Sequence, residues 1–295
     1  MTIKHLVISG GGPSGITTLG LIQYLEKAEF FCMNDIETIY GTSMGTIIGT
    51  LLSLKFDLEM IVDYFIKRPW HEAFPVNLQS FFDAYSKKGL FDTNIFEIFF
   101  KPFFDARDIK MDITMKELYE ITKIELHFFT FEINQFEVVD ISYKSFPELS
   151  LLKAIHMSSA VPIIISPVFI DDKCYVDGGV VCNYPLKYCI DSKCSKNDIL
   201  AIKNKFIKDE NKNITNESNM MDYIMKFINK LIDNAINVRY DIQPNCLDYE
   251  LLIETYEMSI PFIQETIYNQ KKREELFEKG IEYAKKFLEK IEMCN

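Results

Sequence analysis

Apolar residues recur along this chain in short runs whose spacing predicts strands and helices in alternation. Residues 5–9 form a nearly continuous apolar run typical of a buried strand, and apolar residues then follow at helical spacing over 16–25. The order repeats at 36–41, a run rich in β-forming residues that leads into an apolar helix over 46–54. The first part of the chain therefore predicts two units, each made of a strand, a glycine-containing turn and a helix.

The middle of the chain continues with shorter elements. Thr114 and Glu117 make a capping box, which predicts a helix beginning at Met115. The pattern further predicts two strands, a helix, a hairpin and a last strand, at residues 125–132, 136–141, 150–158, 168–176 and 199–202. Asp171 and Asp172 occupy the hairpin turn, where aspartate is common, so a metal site is the weaker interpretation of them.

Between residues 57 and 110 the pattern changes to short aromatic runs broken by prolines. Such breaks predict small helices rather than sheet strands, and we expect a helical cap over one end of the sheet. The aromatic residues are Trp70, Phe74, Phe81, Phe82, Phe91, Phe96, Phe99, Phe100, Phe103 and Phe104. They either face lipid acyl chains or form the core of the cap itself, and the sequence favours neither interpretation.

The last third of the chain predicts a polar linker and a helical extension. Residues 206–220 are rich in Lys and Asn. The wide apolar stripe that follows, with Tyr223 and Phe227 in one row, predicts a helix that docks on the domain or lies on a membrane. Apolar residues at alternating steps of four and three over 277–291 predict packing on another helix, for which a homodimer is one arrangement. We therefore expect residues 221–295 to form a helical extension packed on the domain.

Composition and charge narrow the class of protein. The 295 residues are 48% hydrophobic and 25% charged, which is ordinary for a globular chain and allows one large domain or two. A net charge of −11 argues against nucleic acid as a partner and gives no attraction to an anionic membrane. The chain has seven cysteines without a C-x-x-C pair, no secretory signal before the first strand and no apolar run of about 18 residues. These features predict a cytoplasmic protein with free thiols and no membrane span.

The turn of the second unit carries a candidate nucleophile. Gly41-Thr42-Ser43-Met44-Gly45 is a G-x-S-x-G motif between strand and helix, a setting in which a serine projects its Oγ from a strained turn. Gly41 and Gly45 supply the positions that must lack side chains so that strand and helix can approach each other. The N–H groups at the start of the helix also favour negative charge beside Ser43. A glycine-rich turn without chemistry is the alternative, and we predict a nucleophile.

The turn of the first unit, residues 10–15, allows two interpretations. It fits G-x-G-x-x-G, the loop of a dinucleotide-binding fold, but the second strand ends at Tyr40-Gly41 without the acidic residue that would hold a ribose. If the two strands are parallel neighbours, the loop instead lies beside Ser43, where N–H groups would form an oxyanion hole worth roughly 3 to 4 kcal/mol per donor. Pro13 lacks an N–H. The predicted oxyanion hole therefore comprises Gly10, Gly11, Gly12, Ser14 and Gly15, with Gly11, Gly12 and Ser14 as the leading donors.

A nucleophilic serine needs a base, and the chain offers two arrangements. His5 lies in the first strand, His71 in the predicted cap and His127 inside a strand. The order serine, aspartate, histidine is therefore left with a triad of Ser43, Asp140 and His156. His156 has apolar neighbours in a predicted helix, where a structural histidine is more common. Without a histidine the base must be a carboxylate, and Asp177 is best placed because it ends a strand directly before Gly178-Gly179.

Four segments in this order resemble the patatin-like phospholipases. They are the glycine loop at 10–15, the turn at 41–45, Ser158-Ser159-Ala160-Val161-Pro162 and Asp177-Gly178-Gly179, and the similarity spans roughly residues 3–205. The resemblance implies a Rossmann-like, three-layer α/β/α fold with a mostly parallel sheet, in a catalytic domain of residues 1–205. It also implies a dyad with Ser43 as nucleophile and Asp177 as base, the glycine loop as oxyanion hole, and hydrolysis of lipid acyl esters without a metal or other cofactor.

One position departs from this resemblance. Such proteins usually carry Arg or Lys where this chain has Ser14, so a positive charge near the oxyanion is absent. The departure bears on turnover rate and on preference for anionic headgroups more than on reaction class. We therefore expect a phospholipase A-type or lysophospholipase-type hydrolase, acting on phospholipid or another lipid ester with transient membrane-surface contact. An inactive lipid-binding protein of the same fold is the alternative, and a dinucleotide-binding enzyme is the third interpretation.

Overall fold

The computed structural model describes residues 2–74, 84–207, 213–239 and 247–294. The strands are β1 (His5–Ile8), β2 (Thr38–Thr42), β3 (Gly89–Phe91), β4 (Glu125–Glu132), β5 (Glu137–Ile141), β6 (Ile163–Ile165), β7 (Val168–Ile170), β8 (Lys173–Asp177), β9 (Ile199–Ile207) and β10 (Glu250–Tyr256). The helices are α1 (Gly15–Lys27), α2 (Met44–Ser53), α3 (Leu58–Lys67), α4 (Trp70–Ala73), α5 (Asn94–Asp105), α6 (Met115–Thr122), α7 (Leu151–Ser159), α8 (Leu186–Asp191), α9 (Met220–Arg239), α10 (Ile260–Tyr268) and α11 (Gln270–Cys294). The predicted capping box at the start of α6 is present, with hydrogen bonds in both directions.

The central sheet confirms the predicted α/β fold. Its eight strands lie in the order β10-β9-β1-β2-β4-β8-β7, with β5 also paired to β4. The strands from β10 to β4 run parallel, and β5, β7 and β8 are antiparallel to their neighbours. β3 and β6 form a separate two-stranded sheet that the sequence did not predict.

Alternate residues of the central strands pack into different layers. Leu6 and Ile8 of β1 join the large core that α1 and α2 also line. Val7, between them, joins a smaller core on the other side with residues of α8, such as Leu186. Because successive strand side chains point to opposite faces, one short apolar strand serves both layers. The sheet therefore lies between two helical layers, as predicted.

Two strands meet end to end along one edge of β4. Phe128 pairs with β2 on one side and β5 on the other, and Thr130 pairs with β8 on one side and β5 on the other. β2 and β8 therefore lie on the same side of β4 and run toward each other. β2 ends at Thr42 opposite Phe129, and β8 ends at Asp177 opposite Thr130. This arrangement places the residues that follow β2 directly beside the end of β8.

The aromatic segment forms helices α3, α4 and α5 together with the short strand β3. The rings of α5 are buried in the core, and some of them also border a cavity. Phe96 and Phe99 line a cavity, whereas Phe100 and Phe104 are completely buried in the core. The predicted cap residues Phe81 and Phe82 lie outside the described residues.

The structure corrects the prediction of a polar linker followed by helices alone. Residues 203–207 continue β9 because they pair in parallel with β10, a strand that the sequence analysis missed. Leu251, Ile253 and Thr255 of β10 are buried. The alternation that would have revealed this strand is hidden by the apolar but exposed Leu252.

The packing of the C-terminal helices also differs from the prediction. Among residues 220–230 of α9 the buried side chain is that of Met225, while Tyr223 and Phe227, predicted to dock on the domain or lie on a membrane, are more than half exposed. The long apolar row of α11 packs along α1 of the same chain, with Ala284 fully buried. The helix on which this row packs is therefore α1 of the same chain, whereas a homodimer was one arrangement that the sequence allowed.

Candidate active site

Ser43 lies at the turn between β2 and α2 in a backbone conformation that few residues adopt. Its φ is 55° and its ψ is −121°, which costs a non-glycine residue about 1 to 3 kcal/mol. The turn is also tightly packed, because a Cβ added to Gly45 would lie 2.2 Å from the carbonyl oxygen of Ile8. A Cβ on Gly41 would lie 2.7 Å from the backbone of Gly45. The arrangement is a tight strand-to-helix turn of the kind that exposes a serine Oγ.

The carboxylate of Asp177 faces Ser43, because the strands that precede the two residues meet along β4. The Ser43 side chain interacts with this carboxylate and lowers its pKa, and the Gly179 N–H donates a hydrogen bond of 2.6 Å to Oδ1. Ser43 and Asp177 are only 7% and 4% exposed. Burial raises the pKa of Asp177 from 3.8 to about 6, although Ser43 and the Gly179 N–H each act to lower it. Above that pH the pair consists of a hydroxyl and a carboxylate ready to accept its proton.

Ser158 holds the strained turn in place. Its Oγ accepts a hydrogen bond of 3.1 Å from the Ser43 N–H and donates one of 2.7 Å to the carbonyl of Phe129. Two residues later, the Ala160 carbonyl accepts the N–H of Asp177 at 2.9 Å. The 158–162 segment therefore contacts both members of the pair. In the sequence, this segment was recognisable only by its resemblance to the family.

The glycine loop lies against Ser43, and the structure narrows its candidate oxyanion donors. A Cβ on Gly10 would lie 3.1 Å from the Ser43 Cβ. The N–H groups of Gly10, Ser14 and Gly15 are engaged, with Asn183, Gly11 and Gly12 carbonyls among their acceptors. Of the three leading donors, the Ser14 N–H is therefore already bound. The Gly11 and Gly12 N–H groups make no hydrogen bond to the described part of the chain.

The position that lacks the expected basic residue is bound to the C-terminal part of the chain. The buried hydroxyl of Ser14 shares a hydrogen bond with the hydroxyl of Thr255 on β10. Met258, just beyond β10, lies beside Gly12, where a Cβ would be 3.1 Å from its sulfur. The strand missing from the sequence analysis therefore shapes the glycine loop.

A cavity of about 220 Å³ opens at Ser43 and is lined almost wholly by apolar side chains. Its walls come from α3, α4, α5 and α10 and include Phe65, Trp70, Phe96, Phe99, Ile263 and Ile267. The Ser159 hydroxyl also lines it, buried and without a hydrogen-bond partner among the described residues. Arg273 reaches the lining too, but its guanidinium donates to carbonyls such as those of Ile66 and Thr266. The cavity therefore suits a hydrocarbon chain.

The alternative triad is not assembled. Asp140 binds His127, with its carboxylate oxygens 2.9 and 3.0 Å from Nδ1. His156 uses both ring nitrogens elsewhere, at 2.8 Å from the Thr93 hydroxyl and 2.8 Å from the Ser166 carbonyl. Burial lowers the pKa of His156. The structure therefore brings Ser43 together with Asp177 and not with His156 or Asp140.

The described ranges contain neither a cluster of metal-ligating side chains nor a membrane-spanning helix. No three His, Cys, Asp or Glu side chains there are placed to share a metal ion. No helix there combines the length and the apolar character needed to span a membrane.

Comparison with known proteins identifies the family. Residues 6–190 match the patatin-like phospholipase family. The chain is 30% identical over 197 residues to a protein of Invertebrate iridescent virus 6 named as a probable lipid hydrolase, and the match covers 66% of each chain. It is 26% identical over 293 residues to an uncharacterised protein of Acanthamoeba polyphaga mimivirus, covering 98% of this chain and 95% of that one. The crystal structure of VipD from Legionella pneumophila has a similar fold, with a TM-score of 0.59 at 16% identity, over 98% of this chain and 67% of that chain. The chain belongs to the patatin-like phospholipase family.

Proposed function

We propose that this protein hydrolyses carboxylic esters of lipids, with Ser43 as nucleophile and Asp177 as general base. The observation that carries the proposal is the placement of Ser43, on its strained turn at the opening of an apolar cavity, beside the buried Asp177, because β2 and β8 end at adjacent positions along β4. Family membership and the name of the viral relative support the same reaction class.

The geometry suits a two-step acyl transfer. The Ser43 Oγ attacks the ester carbonyl carbon while its proton passes to Asp177, and the N–H groups of Gly11 and Gly12 stabilise the resulting oxyanion. The tetrahedral intermediate collapses, and the leaving alcohol takes the proton from Asp177. Water then attacks the acyl-enzyme with Asp177 again as base, and Ser43 is regenerated as the fatty acid departs.

The cavity supports a proposal for the acyl part of the substrate more than for its alcohol part. Its apolar wall would hold the acyl chain of a phospholipid, a lysophospholipid or another lipid ester. The neutral contact between Ser14 and Thr255 occupies the place of the usual basic residue. We therefore propose that activity does not depend on an anionic headgroup.

A lipid substrate must also reach the cavity from a membrane or micelle. The exposed row of Met220, Tyr223 and Phe227 lies on α9, a helix that packs against the turn following Asp177. This row would provide a transient apolar contact with the lipid surface near the site.

The first test is Ser43→Ala, which removes one hydroxyl from an already strained turn and leaves the packing intact. We expect hydrolysis of a p-nitrophenyl acyl ester to fall by about 10³-fold or more, because no nucleophile remains. A fluorophosphonate probe should label the wild type and not the variant.

Ser53→Ala is the matched control, because Ser53 is a buried serine at the other end of α2 that bonds only a local carbonyl. It should keep full activity. Wild-type hydrolysis by Ser43→Ala would disprove the nucleophile, whereas a folded wild type without labelling or turnover would favour the inactive lipid-binding alternative.

A further inference from the structure

The carbonyl of Gly10 receives hydrogen bonds from two buried asparagine side chains. Nδ2 of Asn183 lies 3.2 Å from this oxygen, and Nδ2 of Asn204 lies 3.0 Å from it. Each asparagine is 6% exposed. Asn183 follows the turn after Asp177, and Asn204 belongs to β9, so distant segments of the chain converge on one peptide group.

The two asparagine side chains occupy the space that a Cβ at Gly10 or Gly11 would need. A Cβ on Gly10 would lie 2.4 Å from Oδ1 of Asn183, and a Cβ on Gly11 would lie 2.4 Å from Nδ2 of Asn204. The Gly10 N–H also donates to the main-chain carbonyl of Asn183 at 3.0 Å. Glycine at these two positions therefore serves contact with the asparagines as well as access for a substrate.

The same peptide group carries the Gly11 N–H, one of the two oxyanion donors left in the loop. In a trans peptide the C=O and N–H bonds point in opposite directions. Two donors on the carbonyl therefore fix the direction of the N–H on the other side. They also polarise the peptide, because hydrogen bonds in a chain strengthen one another.

Both asparagines are in turn tied to the elements that carry the reacting groups. The hydroxyl of Thr42, the residue before the nucleophile, donates to the Cys182 carbonyl at 2.9 Å. The Asn204 N–H donates to the Ser9 hydroxyl at 2.8 Å, directly before the glycine loop. The oxyanion donor and Ser43 are thus held in one rigid unit.

We propose that Asn183 and Asn204 are positioning residues that orient and polarise the Gly10–Gly11 peptide so that the Gly11 N–H stabilises the oxyanion. The inference rests on the proposed hydrolase function. It assigns to these asparagines an effect on the transition state that acts through the peptide, without contact with the substrate.

The test compares Asn183→Ala, Asn204→Ala and the double variant with Asn134→Ala. Asn134 is the matched control because its Nδ2 also donates to a main-chain carbonyl, that of Asp172, in a hairpin turn. Each single variant should lose about 3- to 10-fold in kcat, since one donor remains on the carbonyl. The double variant should approach the loss of about 10²-fold seen when an oxyanion donor is removed, with KM little changed.

Inhibitor affinity supplies a readout that a purely structural role would not move. A long-chain trifluoromethyl ketone places an oxyanion in the hole once Ser43 adds to it, whereas the corresponding fatty alcohol does not. The asparagine variants should weaken binding of the ketone by the same factor by which they lower kcat/KM, and should leave binding of the alcohol unchanged. Asn134→Ala should change neither affinity.

Three outcomes overturn the inference: unchanged kcat in the folded double variant, equal weakening of ketone and alcohol, or losses matched by Asn134→Ala. If one single variant does not fold, the other carries the test, because both side chains bind the same oxygen. Failure of the proposed function is distinguished by the wild type itself, which would then show no hydrolysis that Ser43→Ala abolishes.

Discussion

Burial of the Asp177 carboxylate costs free energy, and the same burial gives the carboxylate the pKa that its proposed role as a base requires. Burial raises its pKa from 3.8 to about 6, which corresponds to about 3 kcal/mol against the ionised form in the folded protein. A buried base close to neutrality can both take the proton of Ser43 and return it to a leaving group. The same burial excludes water that would compete for the carboxylate.

This pKa predicts where activity should fail on the acid side. Asp177 must be ionised to accept a proton, so kcat/KM should be level near pH 8 and fall about tenfold per pH unit below about 6. A pH profile between 4.5 and 8, with the enzyme checked for folding at each pH, provides the measurement. An acid limb near pH 4 would show that the base is an ordinary, solvated carboxylate.

Asp177→Asn and His156→Gln separate a dyad from a triad. The amide keeps the shape of Asp177 but accepts no proton, so kcat should fall by roughly 10² to 10⁴. His156→Gln should cost little activity, because its ring binds Thr93 and Ser166. Measured kcat values for both folded variants decide the matter, and an inactive His156→Gln beside an active Asp177→Asn would exclude the dyad.

Stability provides the control for Asp177→Asn. A raised carboxylate pKa means that the folded state binds the proton more tightly than the unfolded state, so ionisation destabilises the fold above pH 6. The variant should therefore be as stable as the wild type at pH 8 or more stable, by up to about 3 kcal/mol. This difference should shrink as the pH falls from 6 toward 3.8. A large loss of stability at pH 8 would instead assign Asp177 a structural role.

At the scale of elements, the angle between β2 and α2 determines where the nucleophile points. That angle depends on backbone contact, since a Cβ on Gly45 would meet the Ile8 carbonyl at 2.2 Å. Ser158 and the Gly41 contact hold the turn from other sides. The strained conformation of Ser43 is thus maintained by neighbouring elements, as expected where local strain serves function.

Gly45→Ala tests this dependence. The added methyl group meets rigid backbone, so we expect a loss of about 1 to 3 kcal/mol in the free energy of unfolding and a larger proportional loss of activity. Gly49→Ala is the matched control in the same helix, because its Cβ would meet only the Ile39 side chain, at 2.9 Å. Urea unfolding and esterase assays compare the two. Equal effects would show that helix α2 tolerates displacement from β1.

Many elements could be predicted because their signals are local. The capping box of α6, the antiparallel pair β4–β5 and the turn at Asp171-Asp172 each depend on residues close in sequence. β10 could not, because Leu252 breaks its alternation and only pairing with β9 makes it a strand. The row of Tyr223 and Phe227 could not be placed, because periodicity locates an apolar stripe but does not show whether the domain covers it.

At the scale of the whole molecule, the C-terminal part of the chain both completes the fold and contacts the candidate site. β10 extends the sheet and bonds Ser14 through Thr255, and α11 packs on α1. Arg273 of α11 joins two helix ends, because its guanidinium donates to carbonyls at the end of α3 and of α10. It is only 3% exposed, so these carbonyls depend on it for hydrogen bonds.

Arg273→Met should therefore destabilise the protein by about 3 kcal/mol or more, because the stem is retained while several buried carbonyls lose their donor. Arg107→Met is the matched control, since Arg107 also donates to a carbonyl, that of Lys55, but at the exposed surface. It should cost less than about 1 kcal/mol. Denaturant midpoints measure both. Similar small losses would mean that water replaces the guanidinium at the helix ends.

The sequence by itself determined the reaction chemistry available and most of the local structure. Short stretches of sequence identify Ser43 on its G-x-S-x-G turn, the glycine loop and the aspartate before Gly178-Gly179. They also show that Ser14 stands where a basic residue is usual. Each depends on backbone preference or side-chain chemistry within a few residues, which is why pattern and motif sufficed.

Only the tertiary structure decided which of these groups meet. Asp177 lies beside Ser43 because β2 and β8 end at adjacent residues along one side of β4, and Asp140 is taken by His127. Gly11 and Gly12 are the proposed donors because the other N–H groups of the loop already donate to carbonyls of the chain. Asn183 and Asn204 reach the loop from distant segments. Strand register and packing between remote segments are cooperative properties of the folded chain. No local pattern specifies them.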